Sequence, residues 1–360
     1  MKICLYSPYI PKHVGGGEKY MFDVAQVLSK RHRVEIAVPS EYAGDQHVID
    51  KYQQFLNRNL DNIAFMPSPL GTKAHILQKL FWTRQFDVLY YLTDGSLFFS
   101  LAKRNILHIQ FPLRINKSSL IEKIKLRNWQ IKNTNSEFTR QVVETSWPVK
   151  IDLVHQPMVE VQQIISQTQD QPKEKIILSV GRFFRQLHSK RQDVLIDIFR
   201  ELKKTYPHKM KGWKLVLIGS IEDPNYLSHI KRKKRDLPVE FYHNISREEL
   251  IKWYGRASIY WHGTGYGVNE TRQPEKVEHF GISTVEAMAA GCIPLVVGKG
   301  GQKEVLGEEL SEFQWQTKKE CMAKTLAEIV NAHDRDQFRQ RARQFGEARF
   351  EKLLWEMVEK

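Results

Sequence analysis

Two α/β domains, each a parallel β-sheet covered on both faces by helices, are the fold class this sequence predicts. Three observations carry that expectation. Strand-like apolar runs alternate with helical apolar periods along the chain. A polar, glutamine-rich stretch interrupts the alternation once near the middle, after which it restarts. The length, 360 residues, suits two domains of ordinary size.

In chain order, Lys2–Tyr6 (KICLY) reads as a buried first strand and Gly15-Gly16-Gly17 as a tight turn. Met21, Val24, Ala25 and Leu28 recur at helical spacing, so a helix follows. Residues 34–38 (VEIAV), 87–92 (DVLYYL) and 106–111 (ILHIQF) read as further strands. The break spans 156–175, with Pro157 and Pro172 inside it. Beyond it, 175–180 (KIILSV) is a strand, and Leu195, Ile198, Phe199 and Leu202 make a second helical stripe. Lys214–Ile218, Val239–Tyr242, 258–261 and Ile293–Val297 are strands, and the chain from about Lys318 is helical and charged. The expected domains are therefore 1–156, a linker at 157–174, 175–340, and a C-terminal helix at 341–360 returning to the first domain. Ligands of such sheets bind at the carboxyl ends of the strands, so the cleft between two facing domains is the expected site.

Composition narrows the classes. At 41% hydrophobic the chain can bury real cores, which excludes wholesale disorder. Cys4, Cys292 and Cys321 stand far apart with no C-x-x-C pair, which argues against a disulfide framework or a zinc site and for a reducing compartment. The apolar run at the N-terminus is short and broken by prolines, so no signal peptide or anchor is expected. A cytoplasmic chain, either soluble or peripheral on the inner face of a membrane, is the expectation. Net charge is +14, and residues 103–150 hold ten Lys/Arg against three acids. That cluster suggests peripheral contact with an anionic membrane or a phosphate-bearing acceptor. Within it, Leu120, Ile121, Ile124 and Ile131 would share one helical face beside Lys117, Lys123, Lys125, Arg127 and Lys132. That face either rests on headgroups or packs into the core. The run Lys231-Arg232-Lys233-Lys234-Arg235 belongs to no recognisable nucleic-acid module, so no nucleic-acid partner is expected.

Three stretches carry chemistry. In Glu278-His-Phe280-Gly281-Ile282-Ser283-Thr-Val-Glu286-Ala-Met-Ala-Ala-Gly291, Gly281 permits a tight loop and Ser283 or Thr284 is the expected N-cap. The free N–H groups of that helix start can hold a diphosphate. Glu278 and Glu286 can each accept from two vicinal hydroxyls of a sugar or ribose. In Ser179-Val-Gly181-Arg182, followed by Lys190-Arg191, a strand ends and cations follow before a helix, which suits phosphate. In Gly15-Gly16-Gly17-Glu18, a glycine turn opening a helix lets backbone approach a phosphate, although such turns are often only turns. His108 at its strand end is either structural or functional. Ser136 in Asn135-Ser136-Glu137-Phe138 reads as a helix cap. His262 and the long glycine-containing run before Glu278 form either a specificity loop or an insertion.

The first of these stretches resembles the E-x7-E signature of the family-4 retaining glycosyltransferases, which have the GT-B fold of two Rossmann-like domains facing across a cleft. The second resembles that family's G-R…K motif, with a longer gap and with Arg191 where glycine is familiar. The resemblance covers nearly the full length, is specific over about 181–297, and extends to bacterial glycan-assembly enzymes and lipid-linked-oligosaccharide mannosyltransferases. It implies an N-terminal acceptor domain and a C-terminal nucleotide-sugar domain. It implies catalytic roles for His108, Arg182, Lys190 and Glu278. It also implies donor binding by Gly16, Gly17, Arg182, Lys190, the Phe280-Gly281-Ile282-Ser283 backbone and Glu286. Glu278 would meet donor-sugar hydroxyls and Glu286 the ribose; Arg185 or Arg191 could stand in for Lys190. The implied activity moves a hexosyl group from a nucleoside-diphosphate sugar to a glycan or lipid-linked acceptor, with retention of configuration. No cofactor and no metal are implied, the diphosphate charge being met by cations and a helix start. A sugar-nucleotide epimerase of the same fold, or a non-catalytic nucleotide- or nucleic-acid-binding protein, is the alternative.

Overall fold

The computed structural model describes residues 1–12, 15–56, 58–60, 62–114, 119–186, 189–330 and 334–359. The chain divides into two compact units, Met1–Met158 with Ala348–Lys360, and Val159–Glu347.

The first unit holds seven strands: β1 (Lys2–Tyr6), β2 (Arg33–Val38), β3 (Ala64–Pro67), β4 (Val88–Leu92), β5 (Arg104–Ile109), β6 (Ile131–Thr134) and β7 (Leu153–Val154). They lie in the order β3-β2-β1-β4-β5-β6-β7, and every pairing is parallel. Near-continuous apolar runs such as KICLY and VLYYL are what a sheet buried on both faces requires. The helix Gly16–Ser29 buries Met21, Val24, Ala25 and Leu28, the stripe its spacing predicts. Helix Glu347–Glu359 is the last element, and it buries Phe350, Leu354, Met357 and Val358 in the same core as β1 and Gly16–Ser29. His155 fastens it, with Nε2 3.0 Å from the Phe350 carbonyl oxygen.

The second unit repeats the plan with β8 (Glu174–Val180), β9 (Lys214–Ile218), β10 (Val239–Tyr242), β11 (Ala257–His262), β12 (Ile293–Val297) and β13 (Gln314–Trp315). The order is β10-β9-β8-β11-β12-β13, again all parallel. Each sheet thus runs outward from its first strand in both directions, and the crevice where the direction reverses lies at the carboxyl ends of β1 and β4, or β8 and β11. Helix Gln192–Thr205 buries Leu195, Ile198, Phe199 and Leu202, as predicted.

Three expectations are corrected. Residues 157–174 are not simply a linker: Val161–Thr168 is a helix whose Val161, Ile164, Ile165 and Thr168 are buried in the second unit. That i, i+3, i+4, i+7 pattern is interleaved with glutamines, which hid it. The helix expected to reach Ile131 ends at Asn128, and Ile131 begins β6. Strand 106–111 stops at Ile109, so Gln110 and Phe111 follow β5 rather than belong to it. Among the described residues, no helix is long and apolar enough to cross a membrane.

Candidate active site

In the second unit the switch crevice is assembled from three segments. β8 runs into Gly181, β11 ends at His262, and Lys190 precedes the helix Gln192–Thr205. A Cβ on Gly181 would stand 2.5 Å from Lys190 Cγ, so the bare glycine lets the lysine stem lie across the strand end. Lys190 Nζ then reaches Glu278 Oε2, and His262 Nε2 lies 2.9 Å from the same oxygen. The imidazole is close to the carboxylate but out of line for a good hydrogen bond, and its Nδ1 has no partner among the described residues. Burial pushes the Glu278 carboxyl up; Lys190 and His262 outweigh it and hold the group well below the usual carboxylate range. Burial lowers His262 against the pull of Glu278, which leaves it neutral. The cluster is thus one anion, one cation and one neutral ring.

Glu278 leads into helix Ile282–Ala289. The cap position is Gly281 at φ +120°, where a side chain would be strained, and not Ser283 or Thr284 as expected. Ser283 Oγ instead accepts from the Tyr260 hydroxyl at 2.8 Å. The Gly281 carbonyl accepts from Thr284 and Val285, so the N–H groups of Ile282 and Ser283 have no acceptor among the described residues. Phe280 is buried, its ring packed edge-on against that of Phe345. The loop is backed by Gly300 and Gly301, and Gly301 N–H donates to Glu278 O at 2.7 Å.

Glu286, one turn inside the helix, is nearly buried. Its Oε1 is 2.6 Å from Arg247 Nη1, and its Oε2 accepts from the Tyr254 hydroxyl at 2.9 Å. Arg247 also pairs with Glu160 at 3.3 Å. A carboxylate offers about four acceptor positions, so two remain for a diol.

Arg182 sits apart from this cluster. Its Nη1 lies 3.0 Å from both oxygens of Glu222, at the half-exposed rim. Of the candidates to replace Lys190, Arg191 is pinned by Asp193 and donates to Tyr266 O at 2.9 Å, and Arg185 stacks over the Tyr226 ring. Lys190 alone of the three reaches Glu278. The long run before Glu278 is docked onto the segment that follows β12. Lys299 Nζ donates to Val268 O at 2.6 Å, and Glu270 accepts from Gly300 N at 2.7 Å and pairs with Lys303 at 2.6 Å.

In the first unit, Gly16 opens the helix after β1 and Gly17 follows it. His108 lies inside β5, fully buried, its Nδ1 bonded to Asn133 Oδ1 and its ring stacked 3.9 Å from that of Tyr20. Burial lowers its pKa to about 3, and its Nε2 has no partner among the described residues. The side chain that follows the strand and faces the glycine turn is Gln110: a Cβ on Gly17 would stand 3.2 Å from its Oε1. Sequence reading passed over Gln110, Arg247, Tyr254 and Glu222. Their partners are distant in sequence, and only the folded chain shows the Gln110 amide lying against Gly17. Ser136 caps its helix as read, accepting from Thr139 N at 3.1 Å.

Comparison with known proteins matches the description "Glycosyl transferases group 1" over residues 160–345. The GDP-Man:Man(3)GlcNAc(2)-PP-Dol alpha-1,2-mannosyltransferase of Neurospora crassa is 30% identical over 264 residues, 63% of this chain and 44% of that protein. The human protein of the same name is 32% identical over 203 residues, 51% of this chain and 38% of its own. The chain covers less than half the length of either relative. Among solved structures, a Rickettsia africae glycosyltransferase superposes with TM-score 0.71 at 14% identity, covering 100% of this chain and 99% of that one. Anabaena HepE, in complex with UDP and glucose, gives 0.68 at 16% identity, with the same coverage. These likenesses show the fold, GT-B. The match of more than half the chain shows the family, and the chain belongs to the group 1 glycosyl transferases.

Proposed function

We propose that this protein is a family-4 retaining hexosyltransferase that moves a sugar from a nucleoside diphosphate to an acceptor hydroxyl in glycan assembly. The observation that carries the reading is the Lys190–Glu278–His262 cluster beside the open N–H groups of Ile282 and Ser283. The N–H groups and the helix dipole meet the diphosphate, and Lys190, with donors to spare after Glu278, neutralises the charge that develops on it. Arg182 joins it by leaving Glu222. Glu278, kept ionised, accepts from donor-sugar hydroxyls, and Glu286 from the ribose diol. The bond from the anomeric carbon to the diphosphate breaks as the bond to the acceptor oxygen forms on the same face. The acceptor proton passes to the departing phosphate oxygen. Cations and a helix start supply the positive potential, so the reaction proceeds without a metal ion.

The named relatives act with GDP-mannose on a dolichol-linked oligosaccharide, and the HepE structure holds UDP and glucose. We take GDP-mannose or a UDP-sugar as the donor and a lipid-linked or other glycan as the acceptor. A lipid-linked acceptor brings the chain to a membrane surface, and the basic stretch 103–150 suits it. The test is a thermal-shift screen against GDP, UDP and their sugars, then NMR of the product. A diphosphate at a hundred times its Kd adds about 2.7 kcal/mol. No stabilisation by any nucleoside diphosphate, an inverted anomer, or activity abolished by EDTA would each overturn part of the reading.

A further inference from the structure

Of the ten large apolar side chains that stand exposed among the described residues, seven lie between Ile76 and Ile124. Ile76, Leu77 and Phe81 are on the helix Ile76–Thr83, and Leu120, Ile121 and Ile124 on the helix Leu120–Asn128. Phe81 is 60% exposed and Leu120 75%. The two helices cover the same face of the first sheet: Trp82 from one, and Leu126 with the adjoining Trp129 from the other, enter one core cluster. Their C-terminal ends meet a single segment. Leu101 N donates to Thr83 Oγ1 at 2.8 Å, and Ser100 exchanges bonds with the Asn128 amide at 2.8 and 3.0 Å. Leu101, itself exposed, thus lies on the segment to which both helices are bonded.

Exposed cations stand on or beside the same two helices. Residues 70–130 carry ten Lys/Arg against three acids. Lys73, Arg84, Lys123 and Arg127 are exposed and make no ion pair among the described residues. Of the three acids, Asp87 is paired with Lys103, Asp94 is tied to Ser96, and Glu122 accepts from Ser119. Lys117 lies outside the described residues. Apolar edges in a field of unpaired positive charge suit neither water nor a basic or neutral partner. They suit a surface that offers negative headgroups above hydrocarbon.

We propose that helices Ile76–Thr83 and Leu120–Asn128 together form a docking face for an anionic phospholipid bilayer, with Ile76, Leu77, Phe81, Leu120, Ile121 and Ile124 entering the headgroup boundary. This deepens the membrane side of the proposed function. It moves the contact from the whole of 103–150 to two helices, one of them outside that stretch. Lys132 is excluded: its Nζ is folded onto the Trp129 carbonyl oxygen at 2.8 Å. The inference rests on that reading only for its setting, since the lipid surface itself needs no acceptor.

The test is flotation of the full chain with phosphatidylcholine vesicles, with and without phosphatidylglycerol. Binding is expected only to the anionic vesicles and should weaken as salt shortens the reach of the charges to about 10 Å at 0.1 M. Lys123→Glu with Arg127→Glu should weaken it about 25-fold or more, since each cation near the surface is worth about fivefold. Phe81→Glu and Ile121→Glu, at exposed positions the fold does not use, should each abolish it. Lys231→Glu, in the basic run of the second unit, should leave it unchanged. Absence of flotation at low salt, indifference to these variants, or dimers that Phe81→Glu dissociates would overturn the proposal. A nucleoside diphosphate that stabilises a chain indifferent to vesicles would overturn docking and leave the transfer reading standing.

Discussion

Glu278 keeps its charge in a nearly buried place because Lys190 is laid against it by a glycine. Removing the lysine leaves that carboxylate facing a neutral imidazole and takes one cation from the diphosphate. Lys190→Ala should therefore lower kcat/KM about a hundredfold, roughly 3 kcal/mol, in steady-state assays with any active donor. A loss under fivefold would assign the phosphate role elsewhere. Arg247 acts one step back from the ligand, and its part is to hold Glu286. A ribose contact is made equally in ground and transition states, so Arg247→Ala should raise the donor KM about tenfold or more with kcat little changed. An effect confined to kcat would contradict the positioning role. Glu278 and Glu286 were legible because their spacing sits in one contiguous motif, and Lys190 because it follows a strand end in another. Arg247 was not: in REELIKW it looks like any solvated residue at a helix start, and only folding brings it to Glu286.

At the scale of elements, the helix Ile282–Ala289 is held at both ends. Its C-terminal end faces cations: Lys173 Nζ donates to Ala290 O at 2.7 Å and Arg335 Nη1 to Gly291 O at 2.6 Å. Its N-terminal loop rests on Gly300 and Gly301. A Cβ on Gly301 would stand 2.5 Å from Phe280 Cα and closer still to His279 O, and backbone cannot yield as a side chain does. Gly301→Ala, which touches no ligand, should displace the 278–281 loop and cut activity at least about tenfold; unaltered donor kinetics would show that the loop's position is uncritical. The long central strands were legible as unbroken apolar runs. The short strands β3, β6, β7 and β13, at or next to a sheet edge, were not, because segments such as IKNT carry no period to read. The docked run at 263–277 was visible as extra length, but its clamp by Lys299 and Glu270 needs the fold.

For the molecule as a whole, acidity is the simplest probe of the buried histidines, two of them in the first unit. Burial lowers His108 to about 3 and His155 to about 4, both below the roughly 6.5 of an unfolded histidine. Their neutral forms contribute stability that is complete above about pH 6.5 and is lost as pH falls toward the folded values. Each should cost about 1.4 kcal/mol per pH unit in that window, so urea midpoints at pH 5 should lie well below those at pH 7. Coincident midpoints would mean that water reaches these rings. The connectivity of the two units bears on how the protein is made. The second unit is an insertion: Val159 N donates to Phe345 O at 3.2 Å, so its two ends are neighbours, and its core is complete within one unbroken stretch of chain. The first unit is interrupted, and its core waits for Phe350, Leu354, Met357 and Val358. On a ribosome the order usual for multidomain chains is therefore inverted. The half synthesised last can fold first, while the earlier half stays open to proteases and chaperones until the final helix leaves the exit tunnel. A released chain truncated after Glu347 should yield a protease-resistant second unit and a digestible first one.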